Sequence, residues 1–516
     1  MHHKSLLRYH CALAVLCLLF LTAPAMAGYP AVKGEPTVVD DNYPYGHFSR
    51  YGVDMTGATD QTSLVQKIFD AAKNGPYTRW TVTIPSGTVR ITDTIYFDNV
   101  HGFVLRGEST FMSTISWAGS STTRPALLIK DASNGLCENF RIVAAGKAKL
   151  KAAIMQVNTS TPNSVATTGN TFRKVYIDGN SPGKLDFGFY LADDATAITG
   201  LFSNALDGNN DYNRFYDCEV KHFDDTGYYI QGGQSKYNLF MSSTFNYGGN
   251  YGLRTDSGSF SWIGGGGGQS EVADFHLDSP ADTVTIQGAG FEESARFLTT
   301  GNASAGFCVT LRNNRWANAN TLHAAQTDMI NFKMAGPLII ENNIFQVSAP
   351  ATQPKIYYNF PGARVGGVVY TGNQYYRDGS VTSSPFDFPD TSGEGNDARI
   401  VVEANLWTTS NGASTSGKNL STGSNSNYRP HVHTGNEFFL QNSGDVVIND
   451  FLSGWNGHKI TITFLPNTSG STWMNTTSST NLAGNGGSMK QVASPTFGMV
   501  VEATYSNGKW YCSFSD

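Results

Sequence analysis

The most constraining feature of this sequence is a segment that nearly repeats itself at a fixed distance. Residues 213–233 can be laid on 238–258 with a constant offset of 25 and no gap. Asn213 meets Asn238, Phe215 meets Phe240, Cys218 meets Ser243, Val220 meets Phe245, Gly227 meets Gly252 and Tyr228 meets Leu253. The stretch from Asn170 opens in the same way, with Phe172, Val175 and Ile177. It reaches Gly188, Phe189, Tyr190 and Leu191 after a connection four residues longer. Fainter echoes stand at 139–142 and 343–345. The competing readings are a large β-sandwich or a propeller, but a propeller blade takes about 40 to 50 residues. A period near 25 with short strands suits one turn of a parallel β-helix. Its coils stack about 4.8 Å apart and bury inward side chains in columns, so residues at matched repeat positions become neighbours.

The rest of the chain is consistent with that expectation. Charged residues make up 15% and aromatics 12%, which excludes a disordered acidic or basic tail protein. The first 27 residues read as a secretory signal, with Lys4 and Arg8, an apolar run over 11–21 and the small-residue pattern Ala25-Met26-Ala27. An 11-residue apolar run is too short to span a bilayer, so a secreted protein, extracellular or periplasmic, is expected. The net charge of −6 becomes −8 without Lys4 and Arg8, which disfavours nucleic acid and anionic membranes as partners. Beyond the signal stand Cys137, Cys218, Cys308 and Cys512, too few and too scattered for a disulfide scaffold or a structural zinc site.

A leader over 28–48 precedes one helical signal. Asp60 can cap it, and Leu64, Val65, Ile68, Phe69, Ala71 and Ala72 form an apolar stripe before Gly75-Pro76. The domain order expected is a β-helix with its N-terminal cap over 49–392, a Gly/Ser/Asn-rich linker over 393–427 and a small antiparallel β domain over 428–516.

Three further patterns carry a resemblance. They are Tyr51-Gly52-Val53-Asp54, Thr59-Asp60-Gln61-Thr62 before the helix, and the run 82–91 around Pro85-Ser86-Gly87. With these the chain resembles the pectate-lyase-like right-handed parallel β-helix proteins, in particular the branch shared with phage tailspike depolymerases. It departs from the usual form at Ala58, where Gly is common, and at Gln61, where a second Asp is common. The patterns at 448–451, 460–462 and 508–511 look like the small β domain that ends many members. The fold expected is therefore all-β: a right-handed parallel β-helix with an N-terminal capping helix and a small C-terminal antiparallel domain. The resemblance implies a polysaccharide bound along one flank. It leaves open elimination with calcium and an Arg or Lys base, or hydrolysis with carboxylates. Tailspike relatives trimerise, so a homotrimer is compatible with it.

The repeat also nominates residues. With Cys218 and Val220 inward, Asp217, Glu219 and Lys221 should line the outer face of one strand. Asp178 and its neighbours Lys174 and Tyr176 stand before them, and Ser242, Thr244 and Asn246 after. Asp217 and Glu219, two residues apart, would then lie about 6.6 Å apart, a separation suited to an inverting hydrolase; the bland alternative is a solvated polar face. His222, Asp224 and Asp225 share the next bend, where adjacent carboxylates could raise one another's proton affinity, hold calcium or simply form the turn. Glu292 follows inward Phe291 and is nominated as an acid or as a bend-former. Tyr229 is nominated as a sugar-stacking platform, and Arg254 and Asp256 as sugar ligands or as a simple ion pair.

The function expected is a secreted polysaccharide-degrading enzyme. Hydrolysis stands ahead of elimination because the candidate groove is richer in Asp and Glu than in Lys or Arg. No cofactor is required for hydrolysis, whereas calcium would accompany elimination. The alternative is a glycan-binding or surface-attached β-helix without catalysis.

Overall fold

The computed structural model describes residues 28–74, 80–146, 148–159, 166–181, 183–192, 209–280, 282–301, 307–319, 322–323, 328–334, 336–348, 355–358, 368–377, 386–387, 400–403, 406–409, 414–415, 418–419, 425–428, 437–451, 459–477, 481–484 and 488–515. The signal expected over 1–27, and most of the expected linker, lie outside them.

The chain winds as a right-handed parallel β-helix with three sheets. The offset of 25 read in the sequence is the rung register. Phe215 pairs with Phe240, Val220 with Phe245 and Tyr228 with Leu253. The coil before fits too, since Phe172 pairs with Phe215 and Phe189 with Tyr228, with the extra four residues between the two strands. The inner column of the first sheet runs Phe172, Phe215, Phe240, Trp262, Ile286, Leu311, Ile340 and Tyr370. All of these are fully buried, which places the hydrophobic contribution of each rung in one continuous stack. The ladder continues through Ile400–Glu403 and Leu406–Thr409, into the segment whose composition resembles a linker.

A bend separates the first sheet from the second, and one repeat position makes it. Lys174, Asp217, Ser242, Asn313 and Asn342 take φ between 52° and 55° there, and Gly264, Gly288 and Gly372 take 66–67°. Asn, Asp and Gly tolerate this left-handed conformation best, which accounts for their recurrence along the chain. Inside the same corner a buried asparagine ladder ties the rungs together. The Asn314 amide donates to Asn343 Oδ1 and the Asn343 amide to Asn373 Oδ1, each at 2.9 Å. Their side-chain amides donate in turn to the carbonyls of Ile286, Leu311 and Ile340, so these buried polar groups are satisfied.

The helix Thr62–Asn74 closes the N-terminal end, burying Val65, Ile68, Phe69, Ala71 and Ala72, with Phe69 stacked on Phe97 at 4.4 Å. Asp60 accepts from Thr62 N and Oγ1 and from Thr92 Oγ1. Gln61, where the resembling family commonly has Asp, accepts the Asp54 amide through its side chain. The C-terminal unit has its own core around Phe438, Ile462 and Trp510. Its antiparallel part, Lys459–Phe464 with Val500–Ser506 and Lys509–Ser515, follows shorter strands that pair in parallel.

One core residue opposes stability. Asp274 is fully buried and accepts from Ser294 Oγ at 2.5 Å, and its other oxygen has no well-formed hydrogen bond among the described residues. Burial pushes its carboxyl well above the usual carboxylate range, so the folded chain holds this proton to higher pH than the unfolded chain does. An unfolded Asp releases that proton near pH 4, so stability falls as pH rises above about 4 by up to about 1.4 kcal/mol per unit. Asp274→Asn keeps the shape and cannot ionise. It is expected to melt higher than the parent at pH 8 and nearly with it at pH 4; an equal difference at both would contradict the protonated state.

Candidate functional site

The outer face of the second sheet carries Asp178, Glu219 and Lys221 of the nominated residues, and a cleft opens where it meets the first. The cleft, about 350 Å³, is lined by Ser109, Thr110, Phe111, Lys174, Tyr176, Asp217 and Glu219. Tyr176 and Glu219 are rung partners, and so are Asp178 and Lys221. Phe111 stands two-thirds exposed on the loop 109–112, its ring edge-on to Tyr176 at 5.6 Å.

Asp217 does not alternate with Glu219 on one strand as expected. It occupies the left-handed bend between Arg214–Tyr216 and Glu219–Lys221, because inward Phe215 and inward Cys218 are three residues apart and the chain must turn between them. It stays beside Ser242, its amide donating to the Met241 carbonyl at 3.0 Å. Its exposed carboxylate has no hydrogen-bond or ion-pair partner among the described residues, and neither has the Lys174 ammonium on the rung before.

Glu219 is held differently. Lys221 Nζ lies 2.8 Å from its Oε1, and Asn246 donates to the same oxygen at 3.4 Å. Burial would pull the Lys221 ammonium down, but hydrogen bonds with Glu219 and Tyr176 outweigh it and hold it above its ordinary value. Lys221 and Arg141 both lie over the Tyr176 ring, at 5.3 and 5.5 Å. At the rim, half-exposed Arg106 and Arg173 share the buried Glu138. Burial would raise that carboxyl; hydrogen bonds from Arg173 and then Arg106 hold it below the usual range.

Along the far edge of the face, Asp178 joins Arg141, at 3.3 Å, to His222 Nδ1, at 2.9 Å, and His222 stacks on half-exposed Tyr247 at 5.1 Å. Beyond Thr244–Asn246 the matched positions on the next strands are Gly266, Gly268 and Gly290, so no side chain projects there until Glu292.

The other nominated residues lie elsewhere. Glu292 lies three rungs on and two residues further along the strand than Glu219, about 16 Å away, and its exposed carboxylate is paired with Arg315 at 2.6 Å. Asp224 turns away from the cleft to Lys149, at 2.8 Å, and accepts the Gly183 amide; Asp225 accepts from Thr226. Both carboxylates serve the connection into the third sheet. Tyr229, Arg254 and Asp256 are on that third sheet. Tyr229 is only 7% exposed, stacked on Tyr190 at 4.8 Å with its hydroxyl on Asp256, so it is no open sugar platform. Arg254 is paired with Asp256 at 2.7 Å. Phe111 and Arg141 were not legible as site residues; Phe111 stands on a loop outside the repeat, and only the rung register places Arg141 beside Tyr176.

Among the described residues no three His, Cys, Asp or Glu side chains converge as metal ligands. The donors of a calcium site are committed elsewhere, Glu219 to Lys221 and Asp178 to Arg141 and His222, so the cleft residues do not fit that ion as they stand. No helix among them is long and apolar enough to cross a membrane.

These observations define the class: the chain has a right-handed parallel β-helix fold. No protein-family profile matches it, and no curated protein is similar to it in sequence. Solved structures resemble it at low identity. The N-terminal fragment of bacteriophage phi29 gene product 12 is 12% identical, covering 83% of this chain and 84% of its own, with a TM-score of 0.41. An Azotobacter vinelandii mannuronan C-5 epimerase A-module is 12% identical over 78% and 94%, with a TM-score of 0.36. The catalytic unit of a Streptomyces thermodiastaticus alpha-1,3-glucanase is 14% identical over 74% and 70%, with a TM-score of 0.35. The fold assignment rests on the rung register, and the chemistry on the cleft.

Proposed function

We propose that this protein is an exported enzyme that cleaves a polysaccharide by hydrolysis in the cleft beside Asp217 and Glu219. One observation carries the reading: two carboxylates, one ion-paired and one unpaired, share a cleft with the rings of Phe111 and Tyr176. In it Glu219, paired with Lys221, accepts the proton of the attacking water. Asp217 gives a proton to the leaving glycosidic oxygen, as the two carboxyl groups of a glycosidase do. The rings of Phe111 and Tyr176 seat the flat faces of neighbouring sugars. Lys174, with no partner among the described residues, favours a second reading. Elimination needs a base and a cation against an acidic sugar, and Lys174 is placed to serve as either.

A panel of acidic and neutral polysaccharides separates these readings. New reducing ends without ultraviolet absorbance from unsaturated ends are expected. Absorbing products would replace hydrolysis by elimination, and no new ends across the panel would leave a glycan-binding protein.

A further inference from the structure

Away from the cleft, at the bend that opens the first sheet, two tyrosines stand out of the surface. Tyr212 and Tyr237 occupy matched positions on successive rungs and stack at 5.2 Å with 23° between their planes. Each is 52% exposed. Both have positive φ, 57° and 56°, a conformation that is an outlier for bulky residues. Gly169, with φ 66°, takes the same position one rung earlier at no steric cost. The Tyr237 hydroxyl donates to Asp282 at 2.8 Å, and the Lys236 amide to Asp211 at 2.9 Å, so the rings are fixed and charged groups stand beside them. Because Gly169 has no side chain, nothing at that matched position covers the outer face of Tyr212.

We propose that Tyr212 and Tyr237 form a second carbohydrate-binding site, one that stacks a pyranose ring and holds the polymer independently of the cleft. The apolar faces of a sugar suit a rigid aromatic plane, and its hydroxyls suit the carboxylates and ammonium at the edge. The size argues against a protein partner. Two half-exposed tyrosines offer roughly 200 Å², and adding one-third-exposed Met241 and Ile263 further along the strands leaves the patch well short of about 800 Å² per partner. The site requires only that the protein meet glycans; it does not depend on which bond, if any, is cut beside Glu219.

Retardation in native gels cast with alginate, polygalacturonate, xylan or hydroxyethylcellulose tests this. The variant is Tyr212→Asn with Tyr237→Asn, since Asn accepts the left-handed backbone and the fold should melt unchanged. The wild type should be retarded by at least one polymer, and the double variant should bind it about tenfold more weakly. Tyr237→Phe, which keeps the ring, should bind nearly as the parent. Equal retardation of parent and double variant, or no retardation by any polymer, would overturn the site. So would a fall in native mass in the double variant with retardation unchanged, which would make the rings a contact between protein chains. A protein that is retarded but releases no new ends would retain this site and lose the cleft reading.

Discussion

Glu219→Gln is expected to lower turnover by about 10²- to 10⁴-fold, the range for removing a positioned proton-transfer group. Asp217→Asn is expected to do the same, and the pair together to cost little more than either, because both serve one bond-breaking event. Stability should hardly move. Glu219 and Lys221 are each about a quarter exposed, and a pair so placed contributes at most about 1 kcal/mol. Gln can still accept from Lys221 and Asn246. Asp217 is exposed and its carboxylate unpaired, so its loss leaves no buried partner behind. The internal control is Glu292→Gln. That carboxylate lies on the same flank and was also nominated from the sequence, yet it stands three rungs beyond the Glu219 strand and is paired with Arg315 of the next rung, and its variant should keep full turnover. Initial rates from new reducing ends, with thermal melts alongside, decide the matter. Turnover above half the parent value in both Asp217→Asn and Glu219→Gln would remove the pair from the chemistry.

How far the site could be read in advance follows from which features repeat. The rung register was legible because Phe215, Val220 and Tyr228 reappear 25 residues later as Phe240, Phe245 and Leu253, and that period alone stacks Glu219 on Tyr176 and Thr244. The position of Asp217 was misread although its signal was present. Strict alternation cannot bring both Phe215 and Cys218 inward, so one residue between them has to bend, and Asp217 is of a type that tolerates the bend. Tyr229 failed for another reason. Outward is not the same as exposed, and Phe187 and Tyr190 on the neighbouring rung bury its ring. The partner of Asp224, Lys149, belongs to a coil joined to it by connections of irregular length, where no period helps. Phe111 reaches the cleft from a loop outside the repeat, and His276 and Asp278, which extend the Arg254 network, come from a rung whose sequence shares too little with its neighbours to show the period.

Gly267→Ala is expected to cost about 3–5 kcal/mol, or to prevent folding altogether, although it adds a single methyl group. The strand Gly266–Gly268 runs at φ values of 153°, 142° and 142°, where only glycine is at ease. A Cβ at Gly267 would point along the helix axis and lie 1.9 Å from the Phe245 carbonyl oxygen of the rung before. At Gly266 and Gly268 it would meet the Gly290 and Glu292 carbonyls of the rung after, at 1.8 and 1.9 Å. What blocks the methyl is ladder backbone, held on both sides by parallel pairing, so relief requires opening rungs over the most heavily stacked part of the core. There Phe245 and Phe291, two rungs apart, close to 5.7 Å across the missing side chain, and Trp262 packs against both. Gly290→Ala, on the adjacent strand, is the matched control. Its φ is not positive and nothing lies within 4 Å of the added atom, so it should stay within about 0.5 kcal/mol of the parent. Denaturant unfolding of the two variants reads the difference. If Gly267→Ala unfolded with the parent, the strand would have an ordinary conformation with room for side chains, and the close approach of the neighbouring rungs' backbone would not be what requires glycine there.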